Sequence, residues 1–213
     1  MPSFGSYLLG AAQLAVLAVA TGYAAWILRA RLLPGWRGAP ARLVEVTVAV
    51  GLVTAVSEIL GTFGLLYAGA LILGMVLVAL AAHLVAVRPG SGGQTARGID
   101  PGVLASLVAI VVIAIVVFDW AVTAKHALDT GIFNFDSLWY HMPFSADMVQ
   151  SHSTTGMHHI ETVFVNWFYP QNSELLHAVG ILMTGRDTLS LFVNFGWLGV
   201  AFLAAYCVGR PYG

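Results

Sequence analysis

Charge is scarce in this sequence. Only 9% of its 213 residues are Asp, Glu, Lys or Arg, against about 25% in a soluble globular domain. With 59% hydrophobic residues and a mean hydropathy of +0.85, that scarcity excludes a water-soluble fold and defines an integral membrane protein. Nine basic residues against ten acidic ones give a net charge of −1. No basic patch is present to neutralise phosphates, so a nucleic-acid partner is excluded. Cysteine is nearly absent: Cys207 stands alone, so no internal disulfide forms, and the thiol reads as a small apolar residue of a span. Met1 to Ser6 lacks the positive leader of a signal peptide, and the apolar run behind it is too long for one, so it reads as a retained first span. There is no His-Glu-x-x-His, no Gly-x-Ser-x-Gly elbow, and no Gly-Lys-Ser/Thr after Gly90 to Gly93 to make a phosphate loop.

What the chain has instead is apolar runs, and a spanning helix needs about 20 such residues. Residues 7–28 supply one, and residues 43–87 fit two, with a reversal around Gly61-Thr62-Phe63-Gly64. Residues 88–101, rich in Gly and Pro, read as a linker. Residues 102–118 form a fourth span, a helix beginning near Asn172 runs to about Thr184, and residues 189–208 make the last. The expected fold is all-α and polytopic, with about six transmembrane helices and an outer loop of short interfacial helices. Residues 1–100 form a three-span extension with its linker. Residues 101–213 form a membrane core of one span, a loop at 119–172 and two further spans. Six of the nine cations, Arg29, Arg31, Arg37, Arg42, Arg88 and Arg97, follow the first and third spans. The positive-inside rule puts those loops in the cytoplasm and the 119–172 loop outside. The Gly185-Arg186-Asp187 turn would then be cytoplasmic, and Arg210 would lie outside, mildly against the rule. The expected location is the cell membrane, multi-pass, with the active loop extracytoplasmic.

Six of the ten acids and six of the seven histidines lie between Asp119 and His177. Ionisable groups in or beside lipid are expensive and are usually retained for function. Asp136, in Phe135-Asp136-Ser137-Leu138-Trp139-Tyr140-His141, suits a general base taking a proton from a substrate hydroxyl. It equally suits a helix N-cap. His152, His158, His159 and Glu161 combine metal-ligand types, but their spacing fits no standard signature, so substrate hydrogen bonding or plain interfacial polarity remains open beside metal binding. Trp120, Trp139, Tyr140, Trp167, Phe168 and Tyr169 are the amphipathic rings expected at headgroup depth. Ala70 and Gly74 have small-xxx-small spacing, which reads as helix packing. Glu45 and Glu58 fall near opposite span boundaries.

Three features in order give the second half a wider likeness. They are Asp136 to His141 after a span, Trp167-Phe168-Tyr169-Pro170-Gln171-Asn172-Ser173-Glu174-Leu175-Leu176-His177 opening a helix, and Gly185-Arg186-Asp187 leading to Asn194 and Gly209-Arg210. This series, over residues 101–213, resembles the start of the GT-C superfamily of polytopic glycosyltransferases, relatives of protein O-mannosyltransferases and aminoarabinose transferases. The resemblance implies an enzyme, a glycosyltransferase inverting in outcome by a single displacement, of which this chain is the N-terminal part. Its partners would be a polyprenyl-phosphate sugar donor, the lipid bilayer, and an acceptor glycan, lipid or protein. Asp136 carries over as the base, and Tyr140, His141, His158, His159 and Glu161 are candidates to position substrate. Ser137 stands where the family has a second acid, which weakens a two-carboxylate or metal-bridging role. No cofactor is certain, and a divalent metal stays open. A non-catalytic transporter or assembly subunit with an outer binding loop is the alternative.

Overall fold

The computed structural model describes residues 4–85, 102–160 and 169–209. Among these residues the protein is all-α, with no strand. The linker at 88–101, Glu161, Trp167, Phe168 and the stretch from Arg210 onward lie outside the described residues. Helices α1 (Phe4–Leu32), α2 (Gly38–Thr62), α3 (Ala68–Val85), α4 (Gly102–Thr130) and α7 (Thr188–Gly209) are long and apolar enough to cross a membrane. A π-helical turn at Ser137–His141 leads into α5 (Met142–Ser151), and α6 spans Asn172–Thr184.

The expected reversal after α2 is present. Leu65 N–H donates to Leu60 O at 2.8 Å, and Gly64 takes φ +68°, a conformation that favours glycine. Helix α1 ends where Pro34 and Gly35 follow. There Arg29 and Arg42 both pair with the buried carboxylate of Glu45, at 2.8 and 2.6 Å, stapling α1 to α2. Small residues let α1, α2 and α3 approach closely. Leu17, Ala20 and Ala24 of α1 share a core with Leu71, Met75 and Ala79 of α3, and a Cβ on Gly74 would sit 2.9 Å from Val56 Cγ1. Close approach through small residues is the packing mode expected where lipid removes the hydrophobic drive between helices.

Two elements differ from the sequence reading. Helix α4 does not stop at Phe118 but runs on through Asp119 and His126 to Thr130. No Gly or Pro interrupts it before Gly131, whose φ of +96° and N–H bond to Ala127 O at 2.9 Å close the helix. Lys125 and Asp129, one turn apart, pair on its surface.

Helix α6 is the second difference. Its 13 residues reach about 20 Å at 1.5 Å per residue, short of the roughly 30 Å hydrocarbon core. Both of its ends lie at one end of the bundle. Leu175 joins Leu66 of the α2–α3 turn in a buried cluster. At the other end, Met183 O lies 2.8 Å from where a Gly10 Cβ would be, and Arg186 stacks 5.6 Å from the ring centre of Tyr7. Gly185 caps the helix at φ +70°, its N–H bonded to Ile181 O at 2.6 Å. The Gly185-Arg186-Asp187 turn therefore sits at the same end as the start of α1, rather than across the bundle from it.

The cap at this end is a folded unit. Phe144, Met148, Met157, Leu175 and Ala178 are buried against Leu66, each large side chain contributing about 1.5–3 kcal/mol of burial. His152 fastens the cap to the α2–α3 turn. It adopts φ +57°, stacks on Tyr67 with ring centres 3.8 Å apart, and exchanges backbone and ring hydrogen bonds with Leu66.

Candidate functional site

The site begins with Asn134. Its side-chain oxygen accepts the Asp136 N–H at 3.1 Å, and its carbonyl accepts the Leu138 N–H at 3.0 Å. Asn134 therefore does the capping expected of Asp136. The Asp136 side chain makes no capping bond and stands exposed at the start of the π turn. Pro143 has no N–H to give Trp139, and the helix widens in this turn, with Met142 N–H reaching back to Ser137 O. Such π turns are frequent at functional sites. The turn brings the Tyr140 and His141 rings to 4.1 Å between centres.

His141 Nδ1 bonds the Glu174 carboxylate. Glu174 is only 6% exposed at its side chain and also accepts from Ser173 Oγ at 2.9 Å. With a carboxylate oxygen as acceptor, Nδ1–H of His141 is the donor of this bond. Ser145 Oγ lies 2.9 Å from both the His141 and Glu174 carbonyls and locks α5 to α6. His177, one turn beyond Glu174, is half-buried, and its Nδ1 is buried without a hydrogen-bond partner among the described residues. Burial lowers its pKa below the ordinary 6.5, with His141 adding to the fall and Glu174 opposing it. The Tyr140 phenol is pushed above its ordinary 10.0 by desolvation first, then by Asp136, Glu174 and Tyr169, so it remains a neutral donor.

His141, Ser173 and His177 line a cleft of about 680 Å³ between the end of α4, the π turn and the start of α7, together with His126, Ser137 and Asn194 among others. The size is that of a small-molecule site. A histidine oriented by a buried carboxylate at its wall can accept or relay a proton.

The remaining sequence candidates are divided. Of Asp136, Tyr140 and His141, only His141 lines this cleft; Tyr140 packs on the His141 ring, and Asp136 precedes the lining Ser137. His158 lines a separate pocket. His159 donates Nδ1–H to Gly156 O at 2.6 Å, and its Nε2 stands 3.6 Å from Asp147. The adjacent His158 and His159 rings are perpendicular. Among the described residues no group of three His, Cys, Asp or Glu side chains is placed to hold a metal ion. Glu161 lies outside the described residues. In the sequence, Glu174 and His177 stood only as members of the segment that opens α6, with no site role. Their Glu-x-x-His spacing puts both on one helix face, which was a usable signal. Nothing in the sequence marked their meeting with His141, 33 residues earlier.

The fold and site together define a polytopic all-helical membrane protein with an ionisable cap at one end of an apolar bundle. No protein-family model, curated protein or solved structure matches the chain.

Proposed function

We propose that this chain is the N-terminal membrane part of a glycosyltransferase that moves a sugar from a polyprenyl-phosphate donor to an acceptor hydroxyl on the extracytoplasmic face. The reading is carried by one observation: the Glu174-held His141 lines a cleft at one end of an apolar bundle, with Tyr140 packed on its ring and Asp136 next in sequence to the lining Ser137. A polyprenyl chain lies in the bilayer while its phosphate and sugar lie at the headgroups, so a site for it belongs at this depth. Asp136 takes the acceptor hydroxyl's proton, the oxygen attacks the anomeric carbon, and the bond to the phosphate oxygen breaks with its electron pair leaving on the lipid phosphate. One displacement inverts the centre. Tyr140 donates a hydrogen bond, and His141 holds acceptor or phosphate.

A transport role is less favoured. Glu45 is tied up by Arg29 and Arg42, and His83 Nδ1 is 2.7 Å from the Tyr23 phenol oxygen Oη, whereas transport paths need available ionisable groups within the spans. An assembly subunit has one observation on its side: no residue of α4 is buried within the chain.

The test is turnover of the full reading frame with Asp136→Asn and His141→Gln compared. Asp136→Asn is expected to cut transfer by about 10²-fold or more. A larger loss in His141→Gln with a near-normal Asp136→Asn passes the base role to His141. Normal turnover in both, with assembly of a partner lost, supports the subunit reading instead.

A further inference from the structure

A second pocket, of about 290 Å³, lies where the cap meets α2, and is lined by Glu58, Thr154, His158, Tyr169 and Gln171 among others. Its volume is near the lower bound of small-molecule sites, about 300 Å³. Three of its polar side-chain atoms, Gln171 Oε1, Gln171 Nε2 and Thr154 Oγ1, are buried without a hydrogen-bond partner among the described residues. Buried polar atoms are nearly always paired, and an unpaired one calls for a partner that is absent. The arrangement is held in place by backbone. Thr154 N–H bonds Gly61 O at 3.1 Å, and the Thr154 methyl lies 2.4 Å from where a Gly61 Cβ would be, so only glycine admits it.

The chemistry of the wall selects the ligand. The Glu58 carboxylate opposes an anion, and the unpaired amide opposes an apolar group. Glu58 and Gln171 Oε1 accept hydrogen bonds, Gln171 Nε2 donates, and Thr154 does both. Only a group rich in hydroxyls, which also donate and accept, answers all of them. Tyr169, 59% exposed, offers a flat ring to the C–H face of a sugar. We propose that this pocket binds one neutral sugar ring, and that α2 thereby supplies a residue, Glu58, to a glycan-binding site. The choice of ligand class rests on the sugar-transfer reading, but the pocket's geometry does not depend on Asp136.

Saturation-transfer NMR on the full chain in lipid nanodiscs, titrated with methyl glucoside, methyl galactoside and methyl mannoside, tests the proposal. At least one glycoside is expected to bind, with the dissociation constant rising about tenfold in Gln171→Ala and in Glu58→Gln. Gly61→Ala, whose methyl displaces Thr154, is expected to weaken binding as well. Asp136→Asn should leave binding intact while transfer is lost, which separates failure of this proposal from failure of the transfer reading. Binding of none of the three glycosides overturns the proposal, and so does equal binding in all three pocket variants. If Gln171→Ala or Gly61→Ala fails to fold, Glu58→Gln decides alone, because it preserves shape at a half-buried side chain.

Discussion

At the scale of single residues, Glu174 and His177 show how much of a site is set by who sits behind it. Glu174 is buried yet accepts from His141 and Ser173, so it fixes the imidazole rather than meeting substrate. Glu174→Gln preserves volume but can offer N–H to His141, which favours the other tautomer. Transfer is expected to fall by about tenfold or more with the cap still folded, as checked by turnover alongside thermal unfolding. His177 gives a pH prediction. Its pKa is lowered in the fold, chiefly by burial, so the unfolded chain binds the proton more readily. Stability is then fully present above the unfolded value of about 6.5. It is lost progressively as pH falls through that value toward the lower folded one. Glu174, His141 and the cleft-lining His126 also face this region, so the reading comes from a difference: His177→Gln should flatten part of the decline in unfolding temperature between about pH 7 and 5. The sequence marked Asp136 and His141 as candidates for chemistry. It could not disclose the His141–Glu174 pair, because that contact depends on how α5 and α6 cross.

At the scale of elements, apolar length and glycine placement carried most of the information. The α2–α3 reversal was legible because Gly64 can take a positive φ. Gly74 was legible as a packing residue for its lack of a side chain against Val56. The end of α4 was not, since polarity at Asp119 suggested an exit from lipid while nothing in Trp120 to Thr130 prevents helix. Helix α6, expected as a span, is shorter than the five long apolar helices, and its apolar face, including Leu175, Val179 and Met183, is buried in protein; composition alone does not separate burial in protein from burial in lipid. Gly10 tests that packing. Gly10→Ala places a methyl 2.8 Å from the Met183 carbonyl, a backbone atom that cannot swing away, and should cost about 1–3 kcal/mol. Gly22→Ala is the matched control on the same helix. Its Cβ meets nothing within 4 Å, so the change is expected to be neutral or stabilising by up to about 1 kcal/mol. Thermal unfolding in detergent of the two variants beside the parent measures the difference.

At the scale of the whole molecule, the short α6 leaves five helices among the described residues that are long and apolar enough to cross a membrane. The start of α1, the α2–α3 turn, the cap and the turn after α6 share one end of the bundle. Arg29, Arg42 and Glu45 mark the other. We infer five crossings: α1 inward, α2 outward, α3 inward, α4 outward and α7 inward. Six crossings would have put Arg186 inside and Arg210 outside. Five put Arg186 outside with the cap, so one cation runs against the positive-inside rule in either count and the rule does not decide between them. Single cysteines in a Cys207→Ser background decide between the two. Asp136→Cys and Asp187→Cys, both at exposed positions, are expected to react with a membrane-impermeant maleimide on intact cells. Arg37→Cys, exposed beyond the end of α1, should react only after permeabilisation. Labelling of 187 with 37 rather than with 136 would restore six crossings and take α6 through the membrane. Labelling of 136 only after permeabilisation would move the cap to the cytoplasm and remove a polyprenyl-linked donor on the outer leaflet from the list of its substrates.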